Sequence, residues 1–520
     1  MKKILIISAI LSVLALTGCK DYLVQEPITS QNTEQLLSDY AGLNNAVAGA
    51  YSPLASTSWY GATYFLLDAD TRAGIAAWPV SSDFQSGRMM TGFTLNYNES
   101  STSGLWSFGY YIISAANNVI DQIDAIGETL LSSNVSQQDL DNLKAESLFL
   151  RALSHFDLLR IYSRNDQPEL GVPVILHTDK TALEQPARNT VREVYDQIEK
   201  DLFQADSLMA DNYVRSGVTD KRAVVTKNVI KALAARVYLY DASFTAGQGA
   251  DASAKYQAAA DYATQVIESG EYTMWTPEEY SKVWAEDVGT GEVIFEVYGI
   301  KANGYDGYWE AACHMTNPNG YADICASPLL VEAFANDPGD VRGKTGVRQG
   351  VGPNDDGSMF VTDADGASGD HWPMKYPGKG LGNVTGSPDQ NNTVVLRLSE
   401  MYLIRAEARI NTGNQSGALA DLNEIRTNRN ATPATSVSIN TIWNEYMLEF
   451  CFEGQYWFTT ARLATIGTPG VQITYTTTNG EAGRRGVAGI AQGDKFWALP
   501  LSLSEMDVNK NLVQMVGYER

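Results

Sequence analysis

Residues 396–426, LRLSEMYLIRAEARINTGNQSGALADLNEIR, read as two amphipathic helices joined at a glycine. Small residues sit where the pair must approach closely: Ala406 and Ala418 lie twelve apart, with Tyr402 and Leu422 outside them. That is the small-and-large spacing of a tetratricopeptide-like unit. Such a unit buries its apolar face only by stacking on a neighbour, so it constrains the chain to a helical-repeat scaffold. A second pair stands upstream: TKNVIKALAARVYLYDASF and AKYQAAADYATQVIES flank the flexible AGQGADAS and carry Ala234, Ala235, Ala258 and Ala259. On periodicity alone, an ordinary antiparallel helix bundle is the alternative.

Other segments supply more helices. A helix is predicted over 33–51, and GLWSFGYYIISAANNVIDQID spaces Trp106, Tyr110, Ile113, Val119 and Ile123 along one face. Ser136 has the chemistry of an N-cap for LDNLKAESLFLRALSHFDLLRIY, whose stripe is Leu143, Leu150, Leu153 and Leu158. Asn189 or Thr190 caps TVREVYDQIEKDLFQADSLM. Between 271 and 395 helical periodicity stops. Gly, Asn, Asp, Tyr and Trp crowd the chain there, and only EVIFEVYG reads as a strand. TSWYGATYFLLDADTRAGIAAWPVSSDF has the same texture. Loops held on a rigid scaffold are where binding groups sit, and these two regions could meet on one face. The predicted fold is mostly α: a tetratricopeptide-like scaffold with an irregular, loop-rich ligand-binding part and few short strands.

The amino end bears on location. Lys2 and Lys3 precede an apolar run from Ile4 to Leu16 that is too short for a mature span, which needs about 20 residues. It reads as a signal peptide over 1–18. Leu16-Thr17-Gly18-Cys19 resembles a bacterial lipobox, so Cys19 is the expected lipidation site and outer-membrane lipid an expected partner. The mature chain, 19–520, reads as a single domain: a tether over 19–32, helical parts over 33–270 and 396–520, and the loop-rich part over 271–395. The net charge of −23 comes without a basic stripe and argues against nucleic acid.

No nucleophile elbow, phosphate-cradling loop or metalloprotease helix is present in the sequence. The four histidines are scattered, and Cys313-His314 with Cys325 lacks zinc-site spacing, so no metal or other cofactor is expected. NDDG at 354–357 and DADG at 363–366 resemble calcium-loop fragments, but neither reaches a twelfth-position glutamate and both read as turns. Cys313 and Cys325 flank one loop; a disulfide and two free thiols are both compatible with the spacing, while Cys451 reads as core. Glu400, Glu407, Glu449 and Glu453, near Arg405 and Arg409, read as structural ion pairs rather than catalytic acids.

In order along the chain, AESLFLRALSHFDLLRIYS, GVPVI, TVREVYDQIEKDL, KALAARVYLY, LRLSEMYLIRAEA…ALADLNEIR, LEFCFEGQYW and FWALPLSLSEMDVNKNLVQMVGY resemble the segments of the RagB/SusD family. The chain departs from the family pattern in lacking an arginine pair before LEFCFEGQYW. The resemblance implies a non-enzymatic nutrient-binding lipoprotein on the cell-surface face of the outer membrane. It also implies a SusC-like TonB-dependent transporter as partner and an oligosaccharide as ligand. A peptide-capturing relative is the first alternative and a surface glycoside hydrolase the second. A sugar-binding face needs flat rings for pyranose C–H faces and polar groups for hydroxyls. Trp78 and Trp309 are the first candidates, followed by Tyr305, Tyr308, Trp372, Trp59 and Tyr376. Arg72, Asp70, Asn303 and Asp306 stand beside them.

Overall fold

The structure is a computed structural model. It describes residues 36–519 except 57–58, 62, 81–89, 98–102, 179–184, 219, 285–290, 298–314, 317, 319–320, 350–353, 363–368, 378–391 and 478–479. Its frame is a series of helices: α1 (Tyr40–Tyr51), α2 (Ser103–Leu130), α3 (Gln137–Tyr162), α4 (Val191–Leu208), α5 (Lys227–Gly247), α6 (Ser253–Ile267), α7 (Leu398–Asn411), α8 (Gln415–Asn428), α9 (Ile439–Phe450) and α10 (Gln455–Thr465). From α2 to α8 each of these frame helices packs on the one after it, α6 on α7 across the intervening loop-rich part with its short helices Pro277–Val283 and Pro328–Ala335, the quasi-one-dimensional order of a helical-repeat scaffold.

Local chemistry starts and stops these helices. Ser136 caps α3 by accepting from the Asp139 amide, while the Asp139 carboxylate reaches back to the Ser136 amide at 2.8 Å. Thr190 and Glu193 make the same reciprocal cap at α4. Asn189 instead accepts from the Val174 amide at 2.9 Å. Of the helix predicted over 33–51, residues 33–35 lie outside the described residues and Leu36 is helical; a turn at 37–39 then precedes α1, which Asp39, extended, caps at Tyr40. The opening pair begins at Leu398, since Leu396 and Arg397 end a strand.

The stripes foreseen on α2 and α3 are interior. Leu143, Leu150, Leu153 and Leu158 are fully buried, as are Ile113 and Val119, whereas Tyr110 stays half-buried. Ala406, Ala418 and Leu422 are fully buried between α7 and α8. Buried ion pairs cross the layers: Arg151 with Asp201 at 2.7 Å, Arg236 with Glu400, and Arg462 with Glu407 at 2.5 Å. Arg405 and Arg409 turn instead to Asp421, at 2.7 and 2.6 Å.

Short strands organise the loop-rich part. β1 (Ala76–Ala77) pairs with β3 (Cys325–Ala326), and β2 (Val293–Val297) with β7 (Thr393–Arg397), both antiparallel. β4 (Thr345–Val347), β5 (Phe360–Thr362) and β6 (Trp372–Pro373) form a three-stranded sheet in that order, and β8 (Ile473–Thr474) pairs with β9 (Gly489–Ile490). EVIFEVYG holds β2; β7, equally long, escapes sequence reasoning because its residues are mostly buried and do not alternate, and the remaining strands have only two or three residues.

Buried charge ties this part to the scaffold. Glu449 on α9 accepts from Arg429 at 2.7 Å, from Arg342 at 2.9 Å and from Arg397. Glu292 accepts from Arg429 at 2.6 Å, and Glu453 from Lys375 at 2.6 Å and Arg397 at 2.9 Å. Burial alone would raise the Glu449 pKa; Arg429, Arg397 and Arg342 overcome it and hold the carboxyl well below its usual range. Glu453 sits in the tight turn between α9 and α10. Gly454 there has φ +76°, and a Cβ would lie 1.4 Å from the Phe65 carbonyl oxygen. Only glycine fits this crossing.

Candidate functional site

The two loop-rich regions meet at Trp78. Helical turn Ala69–Arg72 ends at Gly74, whose φ of +75° redirects the chain into β1. β1 then pairs with β3, Ala77 opposite Cys325, so the next residue, Trp78, emerges beside the 325–374 loops. The Val80 amide donates to Asp370 at 2.9 Å, which fixes the strand's exit. A third segment locks the arrangement: Arg485, paired with Glu481 at 2.7 Å, donates to the carbonyls of Thr71 and Ala76, both at 2.9 Å.

Trp78 is half-buried. Its ring lies 5.9 Å from that of Phe93, and the Arg484 guanidinium lies 5.6 Å from the indole centroid. Arg484 Nη1 donates to the Trp78 carbonyl at 3.2 Å and more weakly to that of Pro79 at 3.5 Å. The result is an exposed cation held over an indole face where three chain segments converge.

Tyr305, Tyr308, Trp309, Asn303 and Asp306 lie outside the described residues. The chain enters that stretch from β2 and leaves it at Met315, whose carbonyl accepts from the Ile324 amide at 3.0 Å. Ile324 directly precedes β3, so Met315 lies beside the strand that positions Trp78.

Four expected contact residues are enclosed instead of presented at the surface. Trp59 is 0% exposed, with its ring edge-on to Tyr60 and Phe65. Asp70 is 0% exposed; burial raises its pKa well above the usual value, partly offset by the nearby Phe452 amide and the Lys375 charge. Arg72, 1% exposed, lies between the rings of Tyr97 at 4.8 Å and Trp457 at 4.0 Å and donates to the Phe496 carbonyl. Trp372, 1% exposed, packs with Ala77, Ala322, Val361 and Met374. Tyr376 is buried as well, its hydroxyl on the Phe452 carbonyl at 2.8 Å. The reason is general: absent helical periodicity marks irregular backbone, not exposure, and large rings in loops anchor them to the core.

Sequence reasoning missed two adjoining clefts in the loop-rich part. One, of about 530 Å³, is lined by Phe334, Asp337, Lys344, Phe360 and His371. The other, of about 640 Å³, is lined by Glu278, Lys282, Lys344, Asn354 and Asp355. Only non-local folding brings these groups together, so no motif in the sequence marks them. The NDDG fragment forms a turn closed on itself: Asn354 donates to the Val347 carbonyl at 2.9 Å and Asp356 accepts from the Ser358 amide at 3.0 Å. No cluster of three or more His, Cys, Asp or Glu suited to a metal occurs among the described residues. Cys325 and Cys451 are buried free thiols; Cys313, like Cys19 and the DADG fragment, lies outside the described residues. No helix among the described residues is long and apolar enough to cross a membrane.

A stacked-helix frame with an irregular part in which a half-buried indole and an exposed arginine meet is the architecture of a helical-repeat scaffold protein. The sequence matches the SusD-like family described as starch-binding and associating with the outer membrane over 21–239, and the SusD family over 363–518. The chain belongs to the RagB/SusD family. It is 26% identical over 240 residues to a SusD-like protein P2 of Formosa agariphila, a match spanning 46% of this chain and 43% of that protein. Its fold matches a SusD superfamily protein of Bacteroides thetaiotaomicron at 26% identity with a TM-score of 0.71, covering 92% of this chain and 99% of that one. It also matches a laminarin-binding SusD-like protein at 20% identity with a TM-score of 0.67, covering 92% and 100%, a likeness of fold alone.

Proposed function

We propose that this protein is a lipid-anchored binder of oligosaccharide at the cell surface that hands its ligand to a SusC-like TonB-dependent transporter. The observation that carries the reading is the convergence at Trp78. A half-buried indole stands at the junction of both loop-rich regions, directly after the β1 strand that pairs with β3. A ring fixed in this way covers a pyranose face at little cost in side-chain entropy. Family membership and the family's association with the outer membrane support the location and the partner. Acylation of Cys19 would anchor the chain without a spanning helix.

Isothermal titration against a glycan panel tests the binding role. We expect Trp78→Ala and Trp309→Ala each to weaken binding at least tenfold. Peptide binding with no glycan binding would instead favour the peptide-capturing alternative. Turnover of a polysaccharide, lost on one carboxylate substitution, would favour a hydrolase. For the partner, purification through this protein in gentle detergent is expected to recover a large β-barrel; repeated recovery of the lipoprotein alone would overturn that part.

A further inference from the structure

In a chain with 61 acidic and 38 basic side chains, buried arginines usually meet an acid. Arg151 clasps Asp201 through Nε and Nη2 at 2.8 and 2.7 Å, and Arg236 clasps Glu400 through the same two atoms, Nε at 2.6 Å. This side-on fork is the geometry in which guanidinium binds carboxylate or sulfate most strongly. Arg188 lacks an acid but is satisfied by the carbonyls of Gly171, Tyr162, Leu170 and Val513.

Two arginines of the loop-rich face fit neither pattern. Arg348, directly after β4, is half-buried and places Nη1 3.0 Å from Met374 Sδ. Its Nε and Nη2, the fork edge used by Arg151 and Arg236, are buried without a hydrogen-bond acceptor among the described residues. Burial, with no acid to offset it, lowers its pKa. Arg484 is exposed, engages only two backbone carbonyls and the indole of Trp78, and forms no ion pair among the described residues. Arg484 touches Trp78, and Arg348 touches Met374, which packs in the same small cluster as Ala77, the residue before Trp78.

We propose that the saccharide gripped at Trp78 is anionic, bearing carboxylate or sulfate groups, and that Arg484 and Arg348 receive them. The inference rests on the glycan-binding reading above. Arg484 presents a guanidinium already oriented by the indole and two carbonyls, so little entropy is lost when an anion docks on it. Turning the outer torsions of Arg348 gives up only a thioether contact and brings its fork edge to the ligand. A desolvated charge without a partner is costly, and an anion relieves that cost. The chain's overall negative charge acts at longer range and is screened beyond about 10 Å at 0.1 M salt.

The test is titration of the full chain in detergent with four probes: tetragalacturonate, its methyl ester, a sulfated carrageenan oligosaccharide and maltoheptaose. We expect an anionic probe to bind at least tenfold more tightly than the two neutral ones. Arg484→Gln and Arg348→Gln should each remove most of that preference, and Arg348→Lys should not restore it. Arg484 is exposed, so its variant keeps the fold. Preference for galacturonate points to uronates; preference for carrageenan points to sulfated glycans. Binding of neither anionic probe more tightly than the neutral ones, or unchanged binding by Arg484→Gln, overturns the proposal while leaving glycan binding intact. Binding of peptides and of no saccharide overturns both.

Discussion

The pair α7–α8 and the loop-rich part that runs from β2 to β7 are held in different ways. In the pair, fully buried Ala406, Ala418 and Leu422 interlock two regular helices, and each helix satisfies its own backbone. In the loop-rich part, two- to five-residue strands leave most of the backbone irregular, and long side chains carry the attachment. Arg397, Arg342 and Lys375 reach from it to Glu449, Glu445 and Glu453 of the α9–α10 region. One region is specified by neighbours in sequence. The other depends on charges brought together from residues 50 to 110 positions apart, such as Arg397 with Glu449 and Arg342 with Glu449. A binding surface built in the second way can change its loops while the frame persists.

The two modes of attachment separate most sharply at Glu449. Glu449→Ala leaves the buried guanidiniums of Arg429, Arg397 and Arg342 without their shared carboxylate. A loss of about 3–5 kcal/mol is expected in denaturant unfolding. Amide exchange should rise first in β2, β7 and Val341–Gly343, not in α3. Equal loss of protection in the α3 core would show that the two regions are not separately held.

A smaller loss is expected at the joint between them. Gly454→Ala must displace the backbone of Phe65 or its own turn, at a cost of about 3 kcal/mol. Thermal and chemical melts would register this. A cost below about 1 kcal/mol would mean that the crossing relaxes freely.

The third prediction is a pH dependence inside the scaffold. His155 on α3 is buried, with Nδ1 3.0 Å from the Arg151 carbonyl and Nε2 accepting from the Ile175 amide at 3.2 Å. Burial pushes its pKa down to about 3. Between there and the unfolded value of about 6.5, the unfolded chain binds the extra proton. Stability therefore falls as pH drops through that window, by up to about 1.4 kcal/mol per unit. Wild type should lose about 2–3 kcal/mol more than His155→Gln between pH 7.5 and 4.5. Parallel curves for the two proteins would refute this role.

The smallest effect is local. Ser136→Ala removes the acceptor for the Asp139 amide at the start of α3. It should cost about 1 kcal/mol and fray only the first turn in amide exchange.

How far the sequence could be read follows the same division. The stripe Leu143–Leu150–Leu153–Leu158, the caps Ser136 and Thr190, and the alanine pairing of α7 and α8 are short-range patterns, and each is where the residues put it. Glu400 and Glu407 read as ion-pair members, but their partners Arg236 and Arg462 lie 164 and 55 residues away and are invisible to local spacing. Trp59, Trp372 and Arg72 read as loop residues, but Arg72 ends the helical turn Ala69–Arg72 and Trp372 lies in β6, and their burial depends on Phe65, Val361 and Trp457, which the fold alone brings to them.

By itself, then, the amino-acid order determined a stacked-helix frame, because helix periodicity, capping and close-approach alanines act over a few residues. The tertiary structure decided which aromatic rings face outward, which arginines lack an acid, and where two distant loop regions meet. Those outcomes rest on burial and on charges paired across the fold. No local pattern encodes them, because desolvation and ion pairing depend on distance in space and not on separation along the chain.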